Sequence, residues 1–329
     1  MRKTVIITAV ISFFVFVNVF LYVTLTSRLG NNYSGVSQTK MVDVARYLPF
    51  EETSNLAKTG SSMHFSSEDD LPVLDGAAAL VPVYASVIDS VYPEGSVTYE
   101  GGSFSDDNKY GENFAKDSVM QYQNTIRGYD ALLEGSVDLF FTAHPSENQM
   151  KTAKEKGIEI ELVPVGLEAF VFFVNKNNPV ESLTTDEIRS IYRGNITNWK
   201  EVGGPDRSIN PLLRVKNSGS QTMMEKFMEN DMIKRRSIFA VFGASIGYSF
   251  RYYLSGMVAN DNVRMLAVNG VYPNAQNIRN GLYPLTSSFY VVFKKDNPNP
   301  NVRKLVDWLL SPEGQRLIEA CGYSPITSP

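Results

Sequence analysis

Phe170-Val-Phe-Phe-Val174 is a continuous apolar run closed by the polar and proline-containing stretch Asn175 to Pro179. Such a run fits a strand buried on both faces, and a strand of that kind needs covering layers on either side. The chain around it alternates accordingly, as an α/β protein should. Leu71-Pro-Val-Leu74 reads as a short buried strand. Asp75-Gly-Ala-Ala-Ala79 then leads into Leu80, Val83, Tyr84, Val87, Ile88 and Val91, a helical stripe, with Pro82 in its first regular turn and residues 76–81 as a tighter entry. Asn124 to Leu133 is expected as helix and Val137 to Thr142 as strand. Thr184 with Glu187 has the form of a capping box, and Gly194 is placed to stop that helix. Val302, Leu305, Val306, Leu309 and Leu310 predict one final helix.

Ahead of this alternation lies a different composition. Thr4 to Thr26 contains no charged side chain and is rich in Val, Ile, Phe and Leu. As a helix, 23 such residues span roughly 34 Å, enough to cross a bilayer. Arg2 and Lys3 precede the run, which leaves the N-terminus in the cytoplasm and the bulk of the chain outside. A secretory signal peptide is the competing reading, but its apolar core is usually shorter and ends at an A-x-A-like site, which is not found here. The expectation is an uncleaved anchor over residues 1–28, followed by a polar extracellular tether over 29–70. Within the tether, Arg46-Tyr-Leu-Pro-Phe50 is apolar enough to dock on the folded body.

Beyond residue 30, acidic residues outnumber basic ones, because the first thirty carry only Arg2, Lys3 and Arg28 as charges and the whole chain has 31 basic against 35 acidic residues. A nucleic-acid binder would show a basic face, so no nucleic-acid partner is expected. An anionic ligand would have to be held by local donors against the overall field. Such donors are gathered in Arg214-Val-Lys-Asn-Ser-Gly-Ser220, which opens onto Gln221 to Met228, apolar at 224, 227 and 228 with helical spacing. Ser218 with Gln221 has the form of a capping box. A glycine and hydroxyls at a helix start offer N–H and O–H donors, and Arg214 adds a two-pronged charged one. An ordinary capped helix with an exposed arginine is the alternative for this motif by itself.

The motif has company. Leu183 to Gly194, Asn195-Ile-Thr-Asn198 and Trp199-Lys-Glu-Val-Gly-Gly-Pro205 precede it. Ala244 to Tyr248, Asn269 to Pro273, Tyr283 to Thr286 and Leu310 to Gln315 follow. This succession, over roughly residues 70–326, resembles the phosphate-binding subunits of phosphate ABC importers, members of the type II periplasmic-binding-protein superfamily. The resemblance implies a two-lobe, hinge-linked α/β fold. Lobe one would comprise residues 71–167 plus 284–329, and lobe two residues 168–283, with inorganic phosphate between them, ABC permease subunits as partners and no cofactor or metal. It also implies ligand donors at Arg214, Ser218, Gly219 and Ser220 from lobe two. From lobe one it implies Thr125, just before its helix, Thr142, and the backbone N–H groups of Ala78 and Ala79, where the family often has a hydroxyl at 78.

One departure stands out. Well-studied members carry an aspartate near a strand end that accepts the ligand's proton, whereas Phe140-Phe-Thr-Ala-His-Pro-Ser146 has none, and Asp138 lies too early on the strand. Discrimination between protonated and fully ionised oxyanions is therefore expected to weaken. Many relatives are lipoproteins, but Cys321, the single cysteine, is far from the apolar run and excludes an internal disulfide. A hydrolase triad would need His64 or His144, and neither has a nucleophile-elbow context. The expected function is oxyanion capture for an importer. A tethered sensor that hands the bound state to a signalling partner is the alternative.

Overall fold

The apolar run 170–174 forms the C-terminal part of β3 (Ile160–Asn175), a strand of 16 residues. The computed structural model describes residues 12–21, 42–101, 114–229, 231–234, 244–257 and 261–326. Through Ala169, β3 pairs antiparallel with β9 (Thr286–Lys294). From Phe170 onward it pairs with β6 (Ala244–Phe250) and, at its end, with β7 (Val263–Met265). One strand therefore serves two sets of neighbours. The β9 pairing slips between Pro164 and Gly166, where proline has no N–H to give and a Cβ on Gly166 would lie 2.4 Å from the Phe289 ring.

Outward from β9 lies β2 (Leu139–Thr142), antiparallel to it, and then β1 (Leu74–Gly76), parallel to β2. On the other side β5 (Ile209–Pro211) runs parallel to β6. The order is β1-β2-β9-β3-β6-β5, a mixed sheet, with β10 (Ser324–Pro325) added to β3. A separate two-stranded sheet joins β4 (Ser182–Leu183) to β8 (Ala267–Val268). Strand β1 begins later than the apolar residues 71–74 suggest. Pro72 has no N–H, and the N–H of Val73 is taken by the Asp138 carboxylate at 2.8 Å, so pairing starts at Leu74.

Helices cover both faces: α2 (Val81–Val91), α3 (Asn124–Glu134), α4 (Glu147–Glu155), α5 (Thr185–Arg193), α6 (Gly219–Phe227), α7 (Ala275–Arg279), α8 (Pro300–Leu310) and α9 (Pro312–Ala320). A 3-10 turn over Ala78–Leu80 forms the tight entry into α2, with Pro82 in its first turn. Gly194 closes α5 in the left-handed conformation, φ 75°. The single C-terminal helix expected from residues 302–310 is followed by a second, because Ser311 accepts from the Gly314 N–H as an N-cap and Pro312 suits a first turn. Around β3, Phe172 packs its ring 5.3 Å from Phe227 and 6.1 Å from Tyr192, and Tyr192 lies 5.8 Å from Tyr248. Such pairs add about 0.5–1.5 kcal/mol each beyond burial.

Residues 42–65 are not a free tether. Val42, Val44, Tyr47, Leu56 and Phe65 are buried in the main core. Phe65 N–H donates to the Val91 carbonyl at 2.8 Å, and Phe50 N–H to Asp89 at 2.7 Å. The expected docking of residues 46–50 is thus part of a longer packed strap; residues 29–41 fall outside those described. Of the expected anchor, only residues 12–21 are described, as a helix α1 with Phe13, Phe14, Phe16 and Phe20 exposed. Among the described residues no helix is long and apolar enough to cross a membrane.

Candidate functional site

After β5 the chain turns through Val215 and Asn217, the latter at φ 64°, into α6. Ser218 is its N-cap, accepting from the Gln221 N–H at 3.3 Å. The expected box is only half made. Instead of reaching back to Ser218, the Gln221 side-chain oxygen accepts from the Arg214 N–H at 3.2 Å and from the Tyr248 hydroxyl. Tyr248 Oη also accepts from the Arg214 N–H, at 3.1 Å. The arginine backbone is pinned to the helix start it precedes. Its side chain, half-buried, hydrogen-bonds the phenol of Tyr253, which opens a π-helical turn, Tyr253–Met257, following β6. Burial raises the Tyr253 hydroxyl above its ordinary value and the adjacent guanidinium opposes that rise.

Across from α6 stand three chain segments from the β1–β2 side. Ala77 N–H donates to the Phe141 carbonyl at 2.8 Å, which holds the 3-10 turn of Ala78 and Ala79 against the end of β2. Thr125 lies inside the first turn of α3, not before it. Asn124, at φ 64°, is the first residue of the helix, and its side-chain oxygen accepts from the Thr125 N–H at 2.7 Å. The Thr125 carbonyl in turn accepts from Gln149 at 3.3 Å. Gln149 and Ser146 close a full capping box at the start of α4, and the Ser146 hydroxyl donates to Asn217, next to Ser218, at 3.4 Å. Thr125 and Ser218 are thereby linked through α4, whose start joins those of α3 and α6.

A small cavity lies between the turn of Ala78 and Ala79 and the start of α6, walled by Ala77, Ala79, Leu80, Ala143, Gly219 and Phe250, with Glu168, Tyr323 and β9 residues 287–289 completing it. Of the residues expected to hold a ligand, Ala79 and Gly219 meet in this wall. Ala78, Thr125, Thr142, Arg214, Ser218 and Ser220 do not line it. Thr142 is buried at the end of β2, and Ser220 is buried in the first turn of α6.

A family model described as a PBP superfamily domain matches residues 106–313, well over half of the chain. The chain belongs to the PBP superfamily. The phosphate-binding protein PstS of Bacillus subtilis (strain 168) is 26% identical over 228 residues, covering 66% of this chain and 73% of that one. The protein SphX of Synechococcus elongatus is 28% identical over 293 residues, 78% and 86% of the two chains. Among solved structures, a phosphate ABC transporter substrate-binding protein of Clostridium perfringens with bound phosphate superimposes at a TM-score of 0.55. It is 22% identical and covers 78% of this chain and 99% of that chain. An ABC-type phosphate transport receptor of Vibrio cholerae gives 0.52 at 17% identity, over 77% and 99%. The fold is thus the two-domain α/β architecture of the PBP superfamily, built on a mixed sheet.

Within this PBP fold, carboxylates sit where the residue pattern did not direct attention. Asp138 is occupied elsewhere, accepting from the Val73 N–H and from Asn297 at 2.8 Å each. His144 is exposed, its ring edge-on to Tyr290 at 5.7 Å. Asp75, fully buried at the middle position of β1, accepts from the N–H groups of Gly76 (2.6 Å) and Gln123 (3.1 Å), the N-cap residue of α3. Its other oxygen has no hydrogen-bond partner and lies 2.9 Å from where a Cβ on Gly128 would be. Burial pushes this carboxyl up to about 7. Glu168 and Tyr253 were missed. The one signal for Glu168 is an acid placed two residues before a run of buried apolar side chains; Tyr253 has none.

Proposed function

We propose that this PBP-superfamily chain is a solute-binding protein that captures an inorganic oxyanion, phosphate foremost, between two lobes and delivers it to an ABC importer. The observation that carries this reading is the meeting of Ala79 and Gly219 in one cavity, with Arg214 pinned beside the α6 start. Backbone N–H groups at a helix start and a nearby guanidinium suit an oxyanion. The names of the PstS relatives support phosphate as the ligand. The lobes of this proposal are residues 71–167 plus 284–329 and residues 168–283. The change of β3's partners after Ala169 supports a hinge there. Thr125 and Thr142 would add donors from lobe one, and Ser218 and Ser220 hydroxyls from lobe two. Binding is reversible and involves no covalent chemistry.

The apolar run from Thr4 to Thr26 supports a single-pass anchor that keeps the bulk of the chain extracellular. Full-length protein would then stay in the membrane fraction through alkaline washing, and a mature N-terminus beyond residue 26 by mass spectrometry would sink that part. The ligand is tested by calorimetric titration of the full chain with phosphate, arsenate, sulfate and organic phosphates. Saturable phosphate binding is expected, and a flat phosphate titration would overturn the reading.

A further inference from the structure

Two arginines are held in different ways near the end of β6. Arg251, the residue after that strand, stands 3.7 Å from the buried Glu168 carboxylate and donates to the Gly322 carbonyl. Arg214 has no carboxylate of its own. Among the described residues it joins no ion pair within 4 Å. Glu225, the one acid of α6, accepts instead from Gln221 Nε2 at 3.1 Å. The partner of the Arg214 guanidinium is the phenol of Tyr253.

That phenol is itself fixed. Tyr252 N–H donates to Glu168 at 3.2 Å, which ties the backbone entering the π turn to β3. Inside the turn the Ser255 hydroxyl donates to the Arg251 carbonyl at 2.9 Å. Only 7% of Tyr253 is exposed. Tyr122, just ahead of α3, stands near it, with its own hydroxyl accepting from the Val42 N–H of the strap. A ring buried and anchored in this way has little room to move its hydroxyl. Burial also keeps the phenol neutral, whereas a carboxylate in its place would cancel the charge of the arginine. A neutral oxygen takes one N–H of a five-donor group and leaves the rest. Arg214 is thus held at both ends, its backbone N–H by Gln221 and Tyr248 and its guanidinium by Tyr253. A side chain already ordered loses less freedom when it meets a ligand.

We propose that Tyr253 is the positioning residue for Arg214: its hydroxyl holds the guanidinium in place before an oxyanion arrives, without neutralising it. The inference rests on the oxyanion reading above. Tyr253 touches no ligand in this role and acts through the arginine alone.

The test is a double-mutant cycle on the full chain, read by calorimetric titration with phosphate. Tyr253→Phe removes only the hydroxyl and should weaken phosphate about tenfold. In an Arg214→Ala background the same substitution should change affinity by less than about twofold, because nothing is left to position. Where binding is too weak for calorimetry, the thermal shift at millimolar phosphate closes the cycle. Equal losses in the two backgrounds would mark a merely structural role and overturn the proposal, as would wild-type affinity in Tyr253→Phe. A second readout needs no tyrosine variant. The Arg214 side-chain N–H resonance, assigned by its loss in Arg214→Lys, should exchange slowly in the ligand-free protein, and rapid exchange there would overturn the proposal too. Wild type that binds no phosphate refutes the oxyanion reading and this with it. Binding that needs Arg214 but not the Tyr253 hydroxyl refutes this inference alone.

Discussion

Helices α5 and α6 are both nine residues long and both start at a hydroxyl followed three positions later by a carboxylate or amide. At α5 the pattern closes on itself. Thr184 accepts from the Glu187 N–H at 3.1 Å, and Glu187 accepts from the Thr184 N–H at 2.7 Å. Asp186 and Glu187 place negative charge in that first turn, which satisfies the helix dipole and would repel a second anion. At α6 no acid stands in the first turn, and Gln221 is turned away to hold Arg214 and Tyr248. The same four-residue signature therefore stabilises a helix in one place and leaves its positive pole open in the other. What separates them is tertiary: a tyrosine from β6 and an arginine four residues upstream.

A third helix start lies between these extremes and carries the largest expected effect. Asp75, from outside α3, accepts from the N-cap N–H of that helix while held in a site that disfavours its charge. Its carboxyl titrates at about 7 when folded and near the ordinary carboxylate value, about 4, when unfolded. Between those values the native state keeps a proton that the unfolded chain has lost, so stability falls as pH rises through that window. The full shift corresponds to a loss on the order of 4 kcal/mol, complete above about pH 7. Glu168, raised to about 7 as well, adds a slope of the same sign. Asp75→Asn should remove about half of the fall seen in urea midpoints between about pH 4 and about pH 8. Identical pH dependence in variant and wild type would show that no charge is suppressed at this helix start.

Arg214 tests whether the open pole of α6 is used. A desolvated arginine–oxyanion contact is worth several times a neutral hydrogen bond, whose net contribution is about 1 kcal/mol. Arg214→Ala should weaken phosphate binding at least about a hundredfold, roughly 2.7 kcal/mol, with circular dichroism unchanged. Arg214→Lys keeps the charge without the paired donors and should fall between. Wild-type affinity in Arg214→Ala would make α6 a capped helix like α5.

How much of this could be read beforehand depends on range along the chain. The β3 run at 170–174, the Thr184–Glu187 box and the Gly194 stop depend on near neighbours, and each is present. Arg214 to Ser220 is contiguous, so the order of its donors was visible. The use of Gln221 was not, because Tyr248 reaches it from 27 positions away. Val42, Val44, Tyr47, Leu56 and Phe65 follow neither a helical nor a strand period, so a packed strap looked like a polar tether. Glu168 gains its place only through the pairing of β3 with both β9 and β6. Contacts that long have no local signature.

The smallest effects give the closest comparison, because the two cap hydroxyls can be removed by the same chemistry. Loss of an N-cap hydroxyl costs about 1 kcal/mol of stability. Thr184→Ala should cost that much in denaturant midpoints and leave phosphate affinity unchanged, since its helix start offers nothing to a ligand. Ser218→Ala should cost a similar amount of stability, through the lost acceptor for the Gln221 N–H. It should also weaken phosphate by only a few-fold, well short of Arg214→Ala, because the N–H groups of Gly219 and Ser220 remain as donors. Equal stability losses with binding affected in one variant alone would separate the structural use of the signature from the ligand-facing one. If Thr184→Ala weakened phosphate as much as Ser218→Ala, the binding change would follow from lost stability, and α6 would have no special standing.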